Sequence, residues 1–62
     1  MTPAEIAAIA DAIEASDEAS RRYRISAGLP GDSRDVPGWV LWLDTSRAKL
    51  RQIIEAAQAA AA

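Results

Sequence analysis

Gly28, Pro30, Gly31, Asp32, Ser33 and Asp35 fall together in the middle of the chain. Turn chemistry this dense stops a helix that reaches it and holds the backbone in a connecting loop. On either side lie segments of similar length in which apolar residues recur at helical spacing. A chain divided this way is constrained to two helices and the loop between them.

The first segment carries its own start signal. Thr2 is placed to act as N-cap, Pro3 suits the first helical position, and Glu5 completes a capping box three residues after Thr2. Ile6, Ile9, Ala10 and Ile13 share one stripe, and the same side continues through Ser16 and Ser20, with Ala12, Ala19 and Tyr23 at its edge. Early Glu5, Asp11 and Glu14 and late Arg21, Arg22 and Arg24 suit the helix dipole. Asp17 to Arg21 and Glu18 to Arg22 are favourable i,i+4 pairs. Gly28 followed by Pro30 is the stop. The predicted first helix spans 3–26 and the loop 27–36.

The second helix is predicted over about 37–60, capped by Asp35 or Val36 with Pro37 in its first turn. Its stripe reads Trp39, Leu43, Ser46, Leu50, Ile53, Ile54 and Ala57, with Trp42 on the shoulder. The alanine-rich tail, 57–62, offers little to anchor it and is expected to fray. The expected fold is all-α: one domain over 1–62, a two-helix antiparallel hairpin, becoming a four-helix bundle on dimerisation. In the expected register Ala12, Ser16, Ala19 and Ser20 face the indoles of Trp39 and Trp42. Ile6, Ile9 and Ile13 then meet Leu50, Ile53 and Ile54, so that large opposes small at one end and medium opposes medium at the other.

Composition limits the chemistry. Of 62 residues, 31 are apolar, but 15 of those are alanine, which favours helix and buries little area. With no histidine and no cysteine there is no Ser-His or Cys-His nucleophile pair, no thiolate, no disulfide framework and no ordinary zinc site. No phosphate-binding glycine loop is present. Asp32 and Asp35 beside Ser33 read as turn and capping residues, and Asp11, Glu14 and Glu18 as a solvated helix face. No catalytic residue, metal, cofactor or small-molecule substrate is therefore expected, and the chain is read as non-enzymatic. The N-terminus lacks the positive region of a secretory signal, and no apolar run approaches a membrane span. A cytoplasmic protein is expected. A net charge of −2 offers no general attraction to nucleic acid. Arg21, Arg22 and Arg24 around Tyr23 form the one basic cluster that would contact it, but they are already matched to nearby carboxylates and to the helix dipole.

The anomaly is Trp39-Val40-Leu41-Trp42-Leu43, five consecutive large apolar residues that cannot all face one partner helix. Either Leu29, Val36 and the loop fold over Val40 or Leu41, or Trp39 to Leu43 forms a surface that docks on a protein partner or a second copy. A thin, alanine-rich hairpin favours docking, because added burial would supply the stability it lacks.

The segment Arg47-Ala48-Lys49-Leu50-Arg51-Gln52-Ile53, preceded by Trp39 and Trp42, resembles the tryptophan-then-R-x-x-L-R-x-I helix of phage tail-fibre assembly chaperones. The likeness covers about a fifth of the chain. It implies only a class, a non-enzymatic assembly or virion accessory protein, and no functional residue. A different reading of the same surface is a small inhibitor or regulator of a host enzyme or nucleic-acid complex.

Overall fold

Thr2 begins the first helix as its pattern predicts. Its Oγ1 accepts the Glu5 backbone N–H at 3.1 Å, and Glu5 Oε1 accepts the Thr2 N–H at 3.0 Å. Two N–H groups that would otherwise lack partners are thus satisfied reciprocally. The reciprocal hydrogen bonds also hold the Glu5 carboxyl below its usual range, the Thr2 backbone N–H being the largest cause.

The computed structural model describes residues 1–61: helix α1 (Pro3–Ser26), a loop, and helix α2 (Gly38–Ala61). α1 ends in a Schellman arrangement. Gly28 adopts φ +70°, Leu29 N–H donates to Arg24 C=O at 2.8 Å, and Gly28 N–H donates to Ile25 C=O at 3.1 Å. The left-handed backbone at Gly28 is the reason a side chain there would be strained.

Within the loop, Ser33 N–H closes a turn onto Pro30 C=O, and Asp35 N–H donates to Ser33 Oγ. α2 starts one residue later than its caps predict. The Pro37 carbonyl accepts from Val40 and Leu41 N–H, so Pro37 rather than Asp35 or Val36 stands at the cap. α2 continues through the alanine tail to Ala61, where only Ala57 is half-buried; Ala62, the last residue of the expected frayed tail, lies outside the described residues.

The helices run antiparallel, with Tyr23 beside Trp39 and Ser16 beside Leu43 and Arg47. The fold is therefore the expected all-α helical hairpin. Its seam follows a seven-residue repeat. On α2, Val40, Leu43, Arg47, Leu50, Ile54 and Ala57 are buried or half-buried; on α1, Ile6, Ile9, Ile13, Ser16, Ser20 and Tyr23 are.

The rotation of α2 corrects the expected register. The seam keeps the expected Leu43, Leu50, Ile54 and Ala57 but takes Val40 and Arg47 in place of Trp39, Ser46 and Ile53, a turn of roughly 50° around the helix. Ser16 and Ser20 consequently meet the Arg47 guanidinium instead of an indole. The guanidinium donates to both serine hydroxyls at once, whereas an indole has a single N–H to offer.

The product is thin. The fully or nearly buried residues are Ile13, Val40 and Ile54 on the apolar side and Ser20, Arg24 and Arg47 on the polar side. The rod measures 41 × 16 × 15 Å, and its radius of gyration is 13.5 Å. A compact domain of this length would have roughly 10.6 Å.

Candidate docking surface and the arginine network behind it

Three charged side chains knit the loop end of the hairpin together. Arg24 donates from Nε and Nη2 to Ser33 C=O, at 3.0 and 2.8 Å, and from Nη2 to Asp44 Oδ2 at 2.8 Å. Arg47 donates from Nη2 to Asp44 Oδ1 at 2.6 Å and from Nη1 to Ser16 and Ser20 Oγ at 3.0 and 3.2 Å. Its Nε lies 3.5 Å from Asp17 Oδ1. Asp44 thus bridges two guanidiniums, one from each helix, and the Arg24 guanidinium also ties down the loop at Ser33 C=O. Among the described residues no buried side-chain nitrogen or oxygen lacks a partner. The Arg24 hydrogen bond is the main reason the Asp44 carboxyl is lowered to about 2; partial burial opposes this and Arg47 reinforces it.

This network reassigns the charges expected on the surface. Asp17 pairs across the seam with Arg47, not along the helix with Arg21. Glu18 takes both Arg21 and Arg22, and these exposed contacts hold its carboxyl below the usual range, with Arg21 the first cause. Arg24, one of the three arginines that would contact nucleic acid, is 5 % exposed and occupied internally. Only Arg21 and Arg22 of that cluster remain at the surface. A cleft of about 220 Å³ opens beside the network, with Asp17, Arg21, Arg24 and Arg47 on its polar side and Ile25 and Leu29 on its apolar side. Nothing in the sequence pattern marks this cleft, because it forms where the loop returns past the end of α1.

The Trp39–Leu43 run is split by the rotation of α2. Val40 is fully buried and so is removed from the expected contact set; Leu41 and Leu43 are half-buried. Trp39 and Trp42 stand at 50 % and 67 % exposure. Trp39 packs edge-on against Tyr23, ring centroids 5.5 Å apart at 86°. Val40 lies in the seam between the helices, and the indoles are the exposed part of the run.

Ile53, assigned to the seam by the sequence pattern, joins the indoles at 47 % exposure. Spaced fourteen residues after Trp39, it lies four turns along the same face. The Tyr23–Trp39 contact fixes which side of α1 adjoins this face, and there Ala12, Ser16 and Ala19 continue the line of Tyr23 at helical spacing. The result is an apolar surface with bulky residues on α2 and small ones on α1, on the opposite edge of the seam from the arginine cleft. Among the described residues no group of acidic side chains is placed to hold a metal ion, and no helix is long and apolar enough to cross a membrane.

No protein-family model matches the chain, and no curated protein or solved structure matches it either.

Proposed function

We propose that this hairpin is a non-enzymatic docking module that contacts a protein surface through Trp39, Trp42 and Ile53. The observation that carries this reading is the exposure of both indoles on a chain whose buried core contains so few large side chains. Tryptophan is the residue type most enriched among energetic anchors of interfaces, and an apolar cluster of this kind is usually covered in the working state. Assembly or virion accessory work accords with such a module and with the likeness at 39–53. The first arginine of that likeness, Arg47, is engaged inside the hairpin, so any contact made by the segment falls to its exposed neighbours.

The test is affinity isolation from the native source with the wild-type chain and with Trp42→Asp. Trp42 is exposed and outside the seam, so the variant keeps its hairpin. A discrete protein retained by the wild type and lost with Trp42→Asp supports the reading; identical sets retained by both contradict it.

A further inference from the structure

We propose that the occupant of this apolar face is a second copy of the chain, giving a two-fold four-helix bundle; the proposal rests on the docking reading and names its partner. Three observations support it.

First, each helix carries two seams. Besides the stripe buried within the hairpin, α2 presents Trp39, Trp42 and Ile53, and α1 presents Ala12 and Ala19 on the same side. A helix in a two-helix hairpin needs one apolar stripe; a helix in a four-helix bundle touches two neighbours and needs two.

Second, the face is self-complementary in size. The internal register sets Tyr23 level with Trp39 and Ser16 near Arg47. Ala19 therefore lies at about the height of Trp42, and Ala12 at about that of Ile53. A two-fold along the helix axes brings each α2 antiparallel to the other copy's α1, setting bulky side chains over small ones in both directions. Lys49 is the one charged residue within the α2 stripe, and its long stem allows the ammonium to reach the rim.

Third, the isolated hairpin exposes too much. Its accessible surface is 4395 Å². A folded monomer of 6.6 kDa is expected to expose roughly 3,900 Å². The surplus of about 500 Å² is of the same order as the ~800 Å² per partner that a stable interface covers.

Sedimentation equilibrium of the full chain, from micromolar to millimolar concentration, decides the matter with two variants. Ala12 and Ala48 are both exposed in the hairpin, Ala12 on the proposed interface and Ala48 on the far side of α2. The expected result is twice the 6.6 kDa chain mass for the wild type and for Ala48→Glu, with Ala12→Glu reduced to the single-chain mass. A wild type that stays monomeric at every concentration, that forms a larger or open-ended assembly, or whose dimer survives Ala12→Glu overturns the proposal. A monomer that still holds a different protein through Trp42 also overturns it, while leaving the docking reading in place.

Discussion

The two ends of the hairpin seam solve the same packing problem with opposite chemistry. At the open end, Ile13 and Ile54 are buried in an aliphatic layer, with Ile6, Ile9, Leu50 and Ala57 half-buried around them. At the loop end, the equivalent seven-residue positions are Ser20 and Arg47, joined by Arg24 and Asp44. Aliphatic packing is tolerant of small rotations; an Arg–Asp–Arg bridge with serine acceptors is satisfied in one geometry only. Such networks contribute little net stability, since desolvation offsets attraction, and the polar end is better understood as setting register. The exposed indoles follow from that choice. With Arg47 turned inward to Ser16 and Ser20, Trp39 and Trp42 must face out.

Removing the bridge should have the largest effect. Asp44→Ala leaves two inward-facing guanidiniums without their shared carboxylate and should cost about 3 kcal/mol, the lower end of the range for a broken buried pair because Asp44 retains some solvent contact. In a hairpin this thin, chemical denaturation should show loss of most of the folded population. Ile54→Ala, at the aliphatic end, should cost about 2 kcal/mol by the same denaturation measurement. If the aliphatic deletion proves the more damaging of the two, the polar end is not what holds the register.

Acid separates the ends by another route. The Asp44 carboxyl is lowered from 3.8 to about 2, so the folded state binds this proton less readily than the unfolded chain. The associated stabilisation is fully present above the unfolded value and is lost as pH falls through the folded one. It amounts to something on the order of 2 kcal/mol. Stability should therefore fall between about pH 4 and pH 2 in the wild type, and Asp44→Asn should flatten that slope at a given protein concentration. The smallest effect belongs to the cap at the open end. Thr2→Ala removes the acceptor for Glu5 N–H and should cost about 1 kcal/mol, seen as faster amide exchange confined to the first turn of α1.

Much of this architecture is legible in the sequence. The capping box at Thr2 and Glu5, the stop at Gly28 and the loop composition place both helices to within a residue or two, because these are local features with local causes. The rotation of α2 is not local. The two tryptophans draw any hydrophobic stripe toward themselves, and Arg47 looks like a surface residue until its partners are known. The signal that was available is the set Val40, Arg47 and Ile54 at seven-residue spacing. Asp44 stands one turn before the arginine, and small hydroxyl residues lie opposite. Reading an arginine as a seam residue requires finding its acceptors on the other helix, and periodicity alone does not supply them. The proposed docking set differs from the expected one for the same reason: Val40 leaves it as a buried residue, Leu41 and Leu43 as half-buried ones, and Ile53 enters.

Arg24 and Asp44 meet across the hairpin, and their contact holds α2 with its indoles outward. In the alternative rotation, with Trp39 in the seam, Asp44 would lie about 140° away from α1 and out of reach. A double-mutant cycle with Arg24→Met and Asp44→Asn, measured by denaturant unfolding at one protein concentration, tests it directly. A coupling energy of at least about 1 kcal/mol is expected; additivity within about 0.3 kcal/mol would contradict it.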